Sequence, residues 1–146
     1  MSLLPAPVLK GVQDALSRLG SSSKVLDATP VAGGCINHGA RLRVEGGGSF
    51  FLKWNASAPP RFFDAEADGI RALGETRALR VPTALARGGG SGAPSWLLME
   101  YIGAGAPAPD FDERLGRGLA RLHASAPRGA PFGWARNNWI GSLPQA

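Results

Sequence analysis

Ser49-Phe50-Phe51-Leu52-Lys53-Trp54-Asn55 reads as a β-strand carrying one charge among aromatic and aliphatic neighbours. Alternation divides it into two faces, with Phe50, Leu52 and Trp54 on one and Phe51, Lys53 and Asn55 on the other. An ammonium in such company is costly to bury unless an anion meets it. The next segment offers that anion. Residues 61–73 have helical periodicity, and Glu66 falls on the apolar stripe with Phe62, Ile70 and Leu73. Lys53 and Glu66 are therefore read as a pair, a device that suits the holding of nucleotide phosphates.

Working outward from this strand, Ala40, Leu42 and Val44 alternate with Arg41 and Arg43, and Gly46-Gly47-Gly48 turns the chain into a hairpin with the Lys53 strand. Upstream, Val8, Val12, Ala15, Leu16 and Leu19 recur at helical spacing, and Gly20 is the expected stop. Residues 25–32 are extended, and Pro30 restricts them to an edge or an irregular end. Downstream, residues 80–87 are expected to be extended, residues 88–94 a turn-rich loop, and residues 95–102 a strand. Residues 103–109, with two Gly and two Pro, read as a linker. Asp110 and Glu113 match a capping box opening a helix through Phe111, Leu115, Leu119 and Leu122. The expected fold class is α+β: a small antiparallel sheet carrying a helix over residues 1–102, a hinge at 103–109, and the start of a second lobe at 110–146.

Composition sets limits on partners. The chain has 146 residues, a formal net charge of +5 and 44% hydrophobic residues, enough for a core. The basic excess is scattered and does not interleave with aromatics, which argues against nucleic acid. No run is long enough to cross a membrane and no signal-peptide pattern opens the chain, so a cytoplasmic protein without membrane partners is expected. Cys35 is the single cysteine, which rules out an intrachain disulfide but leaves an oxidative bridge between two chains, and hence a homodimer, as an expectation. His123 has no ligand-spaced partner, no metal-binding residues are assigned, and no Ser/His/Asp arrangement is visible.

A kinase-type nucleotide site needs a phosphate loop, a lysine beneath it, a carboxylate to orient that lysine, and a backbone edge for adenine. The loop candidates are Gly33, Gly34, Cys35 and Asn37, where glycine lets backbone N–H groups approach an anion. The catalytic candidates are Lys53 and Glu66. The adenine edge is Met99-Glu100-Tyr101-Ile102, with the Glu100 carbonyl and the Ile102 main chain facing the base and Met99 bordering the pocket.

These motifs, in order, resemble the fructosamine kinase family. The resemblance rests on Gly33-Gly34-Cys35-Ile36-Asn37, residues 50–55, residues 63–70, Val81-Pro82 and residues 97–100. It continues through residues 115–123, Phe132-Gly133-Trp134, Asn138-Trp139-Ile140-Gly141 and Pro144-Gln145. It implies a protein-kinase-like fold and ATP-dependent phosphorylation of ketosamines, adducts of sugars with lysines or free amines on small molecules or glycated proteins. The family is linked to protein deglycation because the phosphorylated adduct falls off. The resemblance also implies that Lys53 contacts the α and β phosphates, that Glu66 holds Lys53, and that Glu100 to Ile102 line the adenine site. The family often carries Asp-Asn where this chain has Asn137-Asn138. Its His-Gly-Asp base segment and its magnesium aspartate would lie beyond Ala146, so this chain alone is expected not to turn over. Two alternatives stand beside this reading: a non-catalytic nucleotide-binding or interaction fragment, and another small-molecule kinase of the aminoglycoside or choline type.

Overall fold

The computed structural model describes residues 4–34, 36–59, 61–90, 92–126, 129, 133–134, 136–140 and 143–145. Cys35, and with it the expected bridge between chains, lies outside the described residues, as do Phe132 and Gly141 of the tail motifs. The chain opens with helix α1 (Ala6–Arg18), then strands β1 (Val25–Pro30), β2 (His38–Val44) and β3 (Ser49–Asn55). Helix α2 (Phe62–Glu75), strands β4 (Ala84–Gly90) and β5 (Ala93–Glu100) and helix α3 (Phe111–Ala124) follow. A short pair, β6 (Asn138–Ile140) and β7 (Leu143–Gln145), closes it. Among the described residues no helix is long and apolar enough to cross a membrane.

Strands β1 to β5 form one antiparallel sheet in the order β1-β2-β3-β5-β4. Pro30 sits in β1, an edge strand, where a missing N–H does least harm to the ladder. Helix α1 ends where glycine permits it. Gly20 adopts φ +73°, Gly20 N–H donates to the Ser17 carbonyl at 3.1 Å, and Ser21 N–H donates to the Leu16 carbonyl at 3.0 Å. This is a Schellman closure, which satisfies carbonyls the helix would otherwise leave open.

The sheet is covered on both faces, not one. Helix α1 buries Val8, Val12 and Leu16 against Ala40, Leu42, Leu52, Trp54, Trp96 and Leu98. Helix α2 buries Phe63 and Ala67 on the opposite face against Leu97 and Met99, with Phe51 and Ala84 packed beside them. This explains why Trp96-Leu97-Leu98-Met99 shows no polar alternation: β5 lies between two helices and is buried on both sides.

Several expected boundaries differ. The strand assigned to residues 80–87 begins at Ala84 and continues to Gly90, so the expected loop at 88–94 is mostly paired strand. Two of the glycines there, Gly88 and Gly89, serve packing. A Cβ on Gly88 would lie 2.6 Å from Cζ2 of Trp96, and Gly89 has φ +88° within a bulged register. The last expected strand starts earlier, at Ala93, and ends at Glu100, leaving Tyr101 and Ile102 beyond it. On α2 the stripe that meets the sheet is Phe63 and Ala67, with the expected Phe62 and Ile70 packed beside them, whereas Leu73 is exposed. The capping box is not made: the Asp110 side chain caps no N–H, and Glu113 instead pairs with Arg117 at 2.5 Å. Helix α3 also keeps Phe111, Leu115 and Leu119 exposed. It buries only Gly118, which lies against Leu79, and Arg121 Nη2 donates to the Ala78 carbonyl at 3.3 Å.

Candidate functional site

Lys53 Nζ lies 2.6 Å from Glu66 Oε1, with the two side chains 25% and 29% exposed. Two elements create this distance. Alternation along β3 turns Phe51 and Lys53 toward the α2 face. Seating Phe63 and Ala67 on Leu97 and Met99 then turns the helix so that Glu66, between them in sequence, leans toward β3. The pair is a charge-assisted hydrogen bond at the edge of the core, wet enough to accept a further ligand on the ammonium.

Above Lys53 the glycine segment is tied to the sheet by a residue that sequence reasoning left without a role. Asn55 is 9% exposed, and its Nδ2 donates to the Ile36 carbonyl at 3.3 Å and to Asn37 Oδ1 at 3.0 Å. Its own Oδ1 accepts from the Ser57 N–H at 2.9 Å. The available signal was its place on the Phe51 and Lys53 face, where a buried amide must find partners. Gly39 stands opposite Lys53 on β2, and a Cβ there would come within 3.2 Å of both the Phe51 ring and the Val31 carbonyl.

Two cavities meet at Lys53. One, of 160 Å³, runs beneath the glycine segment and is lined by Gly33, Gly34, Asn37, Gly39, Phe51 and Lys53 among others. The other, of 290 Å³, is lined by Ile36, Asn37, Lys53, Phe62, Glu66, Asn138 and Trp139. The tail reaches this point by packing on α2. Trp139 meets the Phe62 ring at 5.7 Å, and Arg136 Nη2 lies 2.9 Å from Asp68 Oδ2. A larger cavity of 650 Å³ lies between α2 and residues 79–84 and contains neither Lys53 nor Glu66.

The structure thus brings together Gly33, Gly34, Asn37, Lys53 and Glu66. It places Met99, Glu100, Tyr101 and Ile102 along the end of β5 and just beyond it, lining neither Lys53 cavity. Met99 is buried in the α2 core. The Glu100 carboxylate accepts from Arg80 at 2.6 Å and from the Thr83 N–H at 3.3 Å. The Arg41 guanidinium stacks 4.7 Å above the Tyr101 ring, and Ile102 is exposed. Among the described residues no three His, Cys, Asp or Glu side chains gather as a metal site.

A second ionic cluster fixes α2. Asp64 Oδ1 lies 2.5 Å from Arg87 Nε on β4, and Asp64 Oδ2 lies 2.9 Å from Arg61 Nε. The Arg61 hydrogen bond, followed by the Arg87 hydrogen bond and both charges, holds Asp64 below its ordinary value of 3.8 against the opposing effect of burial. A carboxylate depressed in the folded state stabilises it at pH values above the unfolded value and loses that contribution as pH falls through the folded one. Asp64→Asn should therefore be less stable than the parent at neutral pH, by about 1 kcal/mol. The gap should close under acid, below 3.8. Urea titrations at several pH values check this, and a gap independent of pH would remove Asp64 from the acid response.

The family model described as fructosamine kinase matches residues 10–146. A probable ketoamine kinase of Synechocystis is 36% identical over 97% of this chain and 47% of its own length. The chloroplastic protein-ribulosamine 3-kinase of Arabidopsis thaliana is 37% identical over 86% of this chain and 38% of its own length. The chain therefore spans about half the length, or less, of the curated relatives it matches. A solved structure assigned as a fructosamine-3-kinase from Haemophilus somnus superposes with TM-score 0.77 at 23% identity, covering 92% of this chain and 45% of that one, a likeness of fold. Another so assigned, from Thermobifida fusca, gives TM-score 0.70 at 26% identity over 93% of this chain and 45% of that one. With its match over residues 10–146, this chain belongs to the fructosamine kinase family.

Proposed function

We propose that this chain is the ATP-binding lobe of a ketosamine kinase, acting on fructosamine or ribulosamine adducts and so serving protein deglycation. The observation that carries the reading is the Lys53–Glu66 pair at 2.6 Å beneath a glycine segment, in a member of a kinase family. Phosphoryl transfer depends on positioning and on neutralising phosphate charge, and these residues do both. Glu66 orients the Lys53 ammonium toward the α and β phosphates. Gly33 and Gly34, without side chains, let backbone N–H groups close on the same anion, and Asn55 with Asn37 keeps that segment over Lys53. Residues 99–102 form the adenine edge, and residues 103–109 the hinge to a second lobe that α3 begins. Magnesium, where bound, would neutralise the β and γ phosphates. Among the described residues no three His, Cys, Asp or Glu side chains gather to hold such an ion.

Calorimetric titration with ATP tests the lobe assignment. Binding of one nucleotide per chain is expected, and an absence of heat at millimolar ATP would refute it. Acceptor class is tested on a chimera joining residues 1–146 to the C-terminal half of the Synechocystis relative. Phosphate from labelled ATP should pass to fructosyl-lysine or ribulosyl-lysine in preference to choline or an aminoglycoside. Preference for either of the latter would reassign the acceptor.

A further inference from the structure

We propose that the 290 Å³ cavity formed by α2 and the tail is the seat of the acceptor sugar, with Trp139 as its platform and Asn37 and Asn138 as its polar contacts. This rests on the kinase reading above and adds the site of the second substrate, built in part from the tail. The cavity shares Ile36, Asn37 and Lys53 with the one beneath the glycine segment. A group held in it therefore stands beside whatever phosphates Lys53 holds, which is where a phosphate acceptor must stand.

The lining fits a polyhydroxylated amine. Trp139 and Phe62 form an aromatic wall with ring centroids 5.7 Å apart. Such a wall suits the C–H face of a sugar, and an indole also attracts an ammonium. Asn37 gives its side-chain oxygen to Asn55, which leaves its amide nitrogen as the donor for a ligand hydroxyl. Asn138 is exposed at the rim and carries a donor and an acceptor. The volume of 290 Å³ lies just below the roughly 300–1,000 Å³ range of small-molecule sites and suits one monosaccharide unit. The reaction sets the direction. Lys53 is neutralised by Glu66 in the same lining, so it is the need of the acceptor hydroxyl to meet the phosphates beside Lys53 that turns the hydroxyls inward and the amine past Trp139 toward solvent. The outward amine leaves room for the lysine side chain, or the protein, that bears the adduct.

The experiment is a ¹H–¹⁵N titration of the 146-residue chain with Nα-acetyl-fructosyl-lysine, in the presence and absence of ATP. The chain has four tryptophans, and the Trp139 indole signal is assigned from Trp139→Phe. The Trp139 signal should move with the ketosamine and stay still with Nα-acetyl-lysine, which lacks the sugar. Trp139→Ala should weaken ketosamine binding at least about tenfold, the loss of a central contact, with ATP affinity within about twofold of the parent. Asn138→Ala, at an exposed position, should weaken the ketosamine selectively as well and carries the test should Trp139→Ala lose its fold. Ketosamine binding that leaves the Trp139 signal unmoved, or that survives both substitutions, overturns the acceptor site. So does an absence of ketosamine binding while ATP still binds. Loss of ATP binding in the unmodified chain would instead strike the kinase reading on which the site rests.

Discussion

Replacing Trp96 by alanine is expected to cost about 3–5 kcal/mol, the usual price of removing a large aromatic from a core. Small domains have only about 5–15 kcal/mol in total. Trp96 is 4% exposed and belongs to the cluster that joins α1 to the sheet. Two glycines make room for its indole: a Cβ on Gly11 of α1 would stand 2.9 Å from Nε1, and one on Gly88 of β4 would stand 2.6 Å from Cζ2. The neighbours that would have to collapse into the cavity are a helix backbone and a strand backbone, which move little. Thermal and urea unfolding should show the midpoint falling by roughly 10 °C or more. A loss below about 1 kcal/mol would mean that Trp96 does not couple α1 to the sheet. The geometry also sets a non-additive outcome. Gly88→Ala alone should cost about 1–3 kcal/mol by overpacking. Combined with Trp96→Ala it should cost less than the sum, because the ring that it strikes has gone.

Lys53→Met is expected to abolish stabilisation of the chain by ATP. At a ligand concentration one hundred times the dissociation constant, binding to the folded state alone adds about 2.7 kcal/mol. That increment is what the substitution should remove, read as a nucleotide-dependent shift in unfolding temperature that disappears. Stability without nucleotide should change little, because Glu66 is 29% exposed and remains hydrated once its partner is lost. Lys24→Met is the matched control, since Lys24 pairs with Glu45 at 2.8 Å on the exposed surface, far from either Lys53 cavity. It should keep the full ATP shift. An equal shift in the parent and Lys53→Met would remove Lys53 from the nucleotide site.

The Lys53–Glu66 pair was legible because two local patterns each left a charge in the wrong company. Strand alternation put Lys53 among aromatics, and helical periodicity put Glu66 among apolar residues. The α2 stripe agrees with its periodicity at Phe62 and Ile70, which pack on the core, but Phe63 and Ala67 are the buried members and Leu73 is exposed. The pair is indifferent to that shift because Glu66 lies beside the observed stripe as well as the expected one. Asn55 was on the correct face, but its partners are 18 and 19 residues earlier in the chain, and no short window contains both. Glycines at 88–90 read as a loop in sequence because glycine more often marks a turn than a strand, and nothing local shows that Gly88 lies against an indole.

What the sequence determined by itself is local and periodic: the β2–β3 hairpin, the first two helices, the glycine stop after α1, and a lysine needing an acid. Those follow from the two-residue and 3.6-residue repeats of the backbone, which any stretch of chain obeys alone. Only the tertiary structure decided that the two helices lie on opposite faces of the sheet, that Trp96 sits against glycines from two elements, and that Trp139 reaches the pocket of a lysine 86 residues before it (139 − 53). Each of these depends on which side of a shared surface has room for a given volume. That is a property of packing between distant segments, and periodicity carries no information about it.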